Sequence, residues 1–92
     1  MYEISEHVYQ RLAELLIDEI GARDFFSGAV IYHDGDVECR LVCTAVVRHS
    51  KREPRAIVSI APVWWELHST IGQEELCNDF SFNDMLSYIE LN

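Results

Sequence analysis

The segment FFSGAVIYHDGDVECRLVCTAVVR, residues 25–48, decides the fold of this chain. Branched and aromatic residues flank Asp34-Gly35, and a two-residue Asp-Gly loop is the strongest short-range signal for a type I′ β-hairpin. This turn predicts strands over residues 25–33 and 36–48 and pairs Tyr32 with Val37. One face of the ribbon then holds only apolar residues and glycine, so we predict that it faces the core. Its members are Phe26, Gly28, Val30, Tyr32, Val37, Cys39, Leu41 and Cys43.

An amphipathic helix is predicted before this hairpin. Ser5 is a suitable N-cap, and Gly21 follows the last periodic residue, where a left-handed C-cap favours glycine. Charged residues fill the other positions of the segment. The apolar residues that recur at helical spacing are Ile4, Val8, Leu12, Leu15, Leu16 and Ile20.

Two further strands and a second helix are predicted after the hairpin. Residues 56–67 are rich in branched and aromatic side chains and indicate a third strand, in which Pro62 predicts a bulge, an unpaired edge or a break. Residues 74–79 are a candidate fourth strand. Ser81 and Asp84 resemble a capping box, so a short last helix begins near Phe82. The fold class is therefore α+β: a single-domain two-layer sandwich with an N-terminal helix, a three- to four-stranded antiparallel meander and a short C-terminal helix.

The charge of the chain limits its partners. Sixteen acidic residues against seven Lys and Arg give a net charge of -9, which repels nucleic acid and anionic lipid. The start of the chain has no basic region followed by an apolar run, and no stretch is long enough to span a bilayer. An odd count of three cysteines argues against a disulfide framework. We therefore expect a cytoplasmic protein with no membrane contact and no cofactor.

Four basic residues, Arg48, Lys51, Arg52 and Arg55, lie within eight positions that contain one acid, Glu53. This segment carries +3, which leaves -12 for the rest of the chain. It is a candidate contact for a phosphate or an acidic partner. The alternative, which we weigh more heavily, is a solvated hairpin loop, so binding of nucleic acid is not expected.

The cysteines and histidines suggest chemistry only by residue type. Cys39 and Cys43 lie on one strand face but about 13 Å apart at roughly 3.3 Å per residue, too far for one zinc ion or one disulfide. Cys77, His68 and Asp79 would supply the residue types of a cysteine hydrolase, but no local signature supports them. No catalytic residue and no metal ligand is therefore assigned.

The pair Trp64-Trp65 is the most informative feature for function. Neighbouring strand residues point to opposite sheet faces, so both rings cannot enter one core. Pairing Arg48 with Arg55 predicts a second, largely apolar sheet face that also includes Val46, Ile57, Ala61 and Val63. The second helix, a second copy of the chain or another partner must cover that face. The candidate interface residues are Phe25, Ile31, Val42, Trp64, Trp65 and Leu67.

We therefore expect a small non-enzymatic binding or regulatory protein that acts through protein–protein contacts. A second copy of the chain, giving a homodimer, is the expected partner, and a different protein is the other possible partner. Three alternatives stay open. One is an acidic inhibitor that mimics nucleic acid, although its acids are scattered along the sequence. The others are a small cysteine hydrolase and an anion or nucleic-acid contact through the basic segment.

Overall fold

The computed structural model describes residues 1–89 and has six elements in one antiparallel layout. These are α1 (Glu6–Ile20), β1 (Phe25–Asp34), β2 (Val37–His49), β3 (Ile57–Ile71), β4 (Glu74–Leu76) and α2 (Phe82–Leu86). The strands form one four-stranded sheet in the order β1-β2-β3-β4. The predicted α+β meander between two helices is confirmed. Among the described residues, no helix combines the length and the apolar character needed to cross a bilayer.

Helix α1 begins and ends where its capping residues predict. The Ser5 hydroxyl accepts the backbone N–H of Val8 at 3.3 Å, and Gly21 has a positive φ of 55°. The helix buries one side, including Val8, Leu12 and Leu16, against the sheet. Since a helix of this length is marginal in water, this burial holds it.

The first hairpin is shifted by two residues from the predicted register. Asp34 pairs with Val37, so the turn residues are Gly35 and Asp36, not Asp34 and Gly35. Gly35 has a φ of 60°, whereas no residue other than glycine has a positive φ in residues 1–89. Glycine alone at the first central position is the pattern of a type II′ turn, so the predicted type I′ turn is wrong. A shift of two residues keeps every side chain on its face, and the core face is as predicted.

Strand β3 contains two interruptions that set which side chains face the core. Its pairing with β2 changes register between Thr44 and Ala45 and again between Arg48 and His49. The first change leaves Val63, next to Pro62, without an opposite residue on β2. The second change leaves Val58 without an opposite residue. The predicted disturbance at Pro62 is therefore a bulge, and the strand continues through it to Ile71.

Both helices lie on the same face of the sheet. The buried core combines residues of α1 and α2 with the core face of the hairpin, around Leu41 at 0% exposure. Trp65 also lies on this side, with its ring centroid 5.5 Å from that of Phe82 in α2. Covering the second face with the second helix, one of the three options, is therefore wrong for the described chain.

Three residues predicted on the second face lie on the core side. Leu67 pairs with Leu41 and is 8% exposed, Trp65 pairs with Cys43, and Ile57 is buried opposite His49. The bulge at Val63 adds one residue, which moves Trp65 and Leu67, both after it in the chain, to the opposite face. Ile57 precedes both bulges and lies on the core side because it pairs with His49 rather than with Val46. Trp64, which pairs with Thr44, is the tryptophan on the second face.

The ends of the described chain are fixed by hydrogen bonds across the fold. The Tyr2 N–H donates to the carbonyl of Cys77 at 2.7 Å, and the Tyr2 hydroxyl donates to Asp34 at 2.5 Å. Burial raises the pKa of this tyrosine, and its bond to Asp34 raises the pKa further. Near the other end, the Ser81 hydroxyl accepts the N–H of Asp84 at 3.3 Å, as the capping box predicts.

Candidate functional site

The second sheet face, which lies opposite the helices and is called the outer face from here on, is the candidate functional site. Phe25 is 57% exposed, Trp64 and Ile31 are each 48% exposed, and Val46 is 46% exposed. Cross-strand pairing places these side chains on neighbouring strands of one surface. The apolar residues of the outer face are Phe25, Ala29, Ile31, Val42, Val46, Ala61 and Trp64.

The middle of the outer face has few polar groups that need water as a hydrogen-bond partner. Ser27 and Thr44 lie opposite each other, and their hydroxyl oxygens are 3.1 Å apart, a hydrogen-bonding distance. This pair lies between the row of Phe25 and Val46 and the row of Ala29 and Val42. Because the hydroxyls satisfy each other, covering this surface would leave few unpaired polar groups.

One end of the outer face is acidic. Glu38 pairs with Thr70, which pairs with Glu75, and Glu66 lies further along the same face. The Nδ1 atom of His68 is 2.9 Å from a Glu75 oxygen, and its Nε2 atom is 3.4 Å from a Glu66 oxygen. The three glutamates outnumber one arginine on this part of the face, Arg40. This end therefore carries a net negative charge.

The opposite end of the sheet is basic. Arg48 lies on the outer face opposite Ser59, and Lys51 and Arg52 are exposed in the loop that follows β2. The Ser50 hydroxyl accepts the N–H groups of Arg52 and Glu53, so this loop has a defined turn. Within residues 1–89, no ion pair neutralises Arg48, Lys51 or Arg52.

Arg55 does not share one surface with the other candidate anion contacts. It lines a groove of about 480 Å³ along α1, together with Glu14, Asp18 and Tyr88. Two carboxylates therefore lie in the same groove as its guanidinium and oppose the approach of an anion. The basic segment thus provides three residues at the tip of the sheet rather than a four-residue cluster.

The structure does not bring Cys77, His68 and Asp79 into the hydrogen-bonded arrangement that a cysteine hydrolase needs. His68 directs both ring nitrogens toward Glu75 and Glu66. The Asp79 carboxylate accepts the backbone N–H of Ile4 at 2.8 Å. Neither side chain forms a hydrogen bond with Cys77 in the described chain, so the geometry offers this thiol no base.

The three thiols have different environments. Cys39 and Cys43 are buried in the core, whereas Cys77 is exposed. Burial raises the pKa of Cys43 to about 11, and burial likewise raises the pKa of Cys39. No group of three or more His, Cys, Asp or Glu in residues 1–89 is arranged to hold a metal ion.

Only Cys77 is expected to react quickly with Ellman's reagent in the native protein near pH 8. The thiolate is the nucleophile, and the raised pKa of Cys43 keeps its thiol protonated there while the core excludes the reagent. Absorbance at a fixed time should therefore report one thiol before denaturation and three after it. Cys77→Ser should abolish the fast phase, and a fast phase that survives in this variant would contradict the buried placement of the other two.

His49 makes a contact that the sequence does not predict. Its side chain is 7% exposed, and its Nε2 atom is 2.9 Å from the Gly21 carbonyl oxygen. The imidazole therefore joins the end of β2 to the end of α1. Among residues 1–89 its Nδ1 atom has no hydrogen-bond partner, and it lies 3.5 Å from an Asp24 oxygen. No local pattern signals this contact, because the bonded residues are far apart in sequence.

Comparison with known proteins identifies no relative: no protein family and no curated protein matches the sequence, and no solved structure matches the fold.

Proposed function

We propose that this chain is a non-enzymatic binding protein that contacts another polypeptide through the outer face of its sheet. One observation carries the proposal: both helices pack on the core side and leave Phe25, Ile31, Val46 and Trp64 about half exposed. Monomeric proteins rarely expose a contiguous apolar patch above a few hundred Å². The half-exposed rings of Phe25 and Trp64 alone present on the order of 100 Å² each.

The sheet face is a better interface than the open edge of β3. Strand β4 pairs with only Ser69, Thr70 and Ile71, so the earlier part of β3 has no second neighbour in the described chain. Pro62 lacks an N–H there, and the bulges at Val63 and Val58 disturb the edge. Proline and bulges are features that discourage pairing with an added strand. Side-chain contact with the outer face is therefore favoured over strand addition at this edge.

Site-directed photocrosslinking tests this proposal. A benzophenone amino acid at Ile31 or Val46 should form protein adducts in a lysate of the cells that make the chain. The same amino acid at Ile71 is the matched control, because Ile71 is 44% exposed but lies outside the outer face. We expect adducts at Ile31 and Val46 and few at Ile71, and Trp64→Ser should reduce them.

Two outcomes contradict the proposal. The first is that the outer-face positions give no adduct with any polypeptide. The second is that Ile71 gives the same adducts in the same yield, which would mean that contact is not specific to the outer face.

A further inference from the structure

The charges of the outer face are arranged asymmetrically along the strands. Arg48 lies on this face at one end of β2, followed by Lys51 and Arg52 in the loop. Glu38 lies on the same face ten residues away, about 34 Å at roughly 3.4 Å per residue. The apolar residues lie between the two ends. The face therefore has a basic end, an apolar middle and an acidic end.

We infer that the partner on the outer face is a second copy of this chain, stacked face to face with its strands reversed. A two-fold axis near Cys43, across the strand direction, places the basic end of each copy over the acidic end of the other. Arg48 then lies opposite Glu38 of the second copy, and Phe25 lies opposite Ile31. This inference rests on the proposed function and names its partner.

Electrostatics favours this arrangement over the other two-fold stacking. An axis along the strands would place Arg48 over the second copy's Arg48 and Glu38 over its Glu38, and like charges brought together oppose association. The chain as a whole carries -9, so most contacts between two copies are repulsive. The outer face is an exception, because it carries both signs at separate ends.

The size of the face fits a dimer. A standard interface buries roughly 800 Å² on each partner, with an apolar centre and a polar rim. The half-exposed side chains at the centre supply several hundred Å², and Arg48 and Glu38 lie at the two ends of the face, in the rim. Facing Val46 of the second copy, the methylene stem of Arg40 can cover the valine while its guanidinium reaches water.

Sedimentation tests the inference, on the purified native chain and on two charge-reversed variants, each measured separately. The basic-end variant carries Arg48→Glu, Lys51→Glu and Arg52→Glu. The acidic-end variant carries Glu38→Lys, Glu66→Lys and Glu75→Lys. We expect the native chain to form a dimer of about 21 kDa, twice the 10.7 kDa of one chain. Each variant alone should dimerise roughly tenfold more weakly or worse, because each then has two ends of one sign.

Mixing the two variants should restore the dimer. One copy then has two acidic ends and the other has two basic ends, so opposite charges meet at both ends of a heterodimer. The matched control for the acidic-end variant carries Glu3→Lys, Asp18→Lys and Glu19→Lys, which makes the same change in net charge as that variant at exposed sites away from the outer face. This control should retain the native dimer.

The native dimer should also weaken as salt rises from about 50 mM to about 500 mM, because salt screens opposite charges that meet at the rim. A native chain that stays at 10.7 kDa at every concentration overturns the inference. A dimer that salt strengthens, or variants that fail to associate when mixed, also overturns it. The proposed function is then tested separately, by whether Ile31 and Val46 crosslink to other proteins.

Discussion

Leu41→Asp is expected to unfold the domain or to destabilise it severely. Leu41 is 0% exposed at the centre of β2, between β1 and β3 and under the helices. A carboxylate at that position would have no partner and no water, which costs about 4 kcal/mol or more. A small domain has a total stability of about 5–15 kcal/mol, so this change removes much of it. Circular dichroism during thermal or urea unfolding measures the loss.

Arg40→Asp is the matched control for this substitution. It introduces the same residue one position earlier on the same strand, where the side chain lies on the outer face and is exposed. On monomeric protein it should lower the free energy of unfolding by only about 1 kcal/mol, a cost that comes from the like charges of Glu38 and Glu66 nearby. If Arg40→Asp destabilises the protein more than Leu41→Asp, the assignment of the two faces of β2 is incorrect.

The elements that the sequence predicts well are those set by local interactions. Ser5 and Gly21 bound α1 because a cap bonds to residues within one turn, and such a pattern is visible in the sequence. Ser81 marks the start of α2 for the same reason. The core face of the first hairpin also follows from simple alternation, and it survives the shift from a type I′ to a type II′ turn.

The bulges explain why the sequence alone assigns some side chains of β3 to the wrong sheet face. Pro62 predicts a disturbance in β3, but simple alternation of faces along a regular strand assigns the residues beyond it to the wrong side. The additional residue at Val63 moves Trp65 and Leu67 to the core side and Trp64 to the outer face. Ala61, which lies between the two bulges, remains on the outer face as predicted. A proline can indicate a bulge, whereas the number of residues it adds depends on pairing with the neighbouring strand.

The candidate site was therefore predictable only in part. Phe25, Ile31, Val42 and Trp64 were identified in the sequence and lie on the outer face. The sequence does not predict the charge asymmetry of this face, because the asymmetry depends on which strand ends lie side by side. The spacing of Glu66 and His68 does place both on one strand face, a signal that could have located part of the acidic end. Glu75 joins them only through the pairing of β4 with β3.

The second large effect is expected at Phe82, which connects α2 to the sheet. Five residues are too few for a helix that is stable in water, so α2 depends on the packing of Phe82 and Met85. Phe82 is 0% exposed, and its ring contacts the core-side tryptophan, Trp65. Removing a buried phenyl ring loses its contacts and leaves a cavity.

Phe82→Ala is therefore expected to reduce the free energy of unfolding by about 3–5 kcal/mol, which lowers the melting temperature by at least about 12 °C. In a Trp64→Phe background, Trp65 is the only tryptophan, and its emission should shift to longer wavelength as it loses the ring beside it. Phe25→Ala makes the same substitution at an exposed site and, on monomeric protein, should cost about 1 kcal/mol or less. If the two substitutions cost the same and the emission of Trp65 does not move, then α2 does not pack on the sheet, and the helices do not share one face.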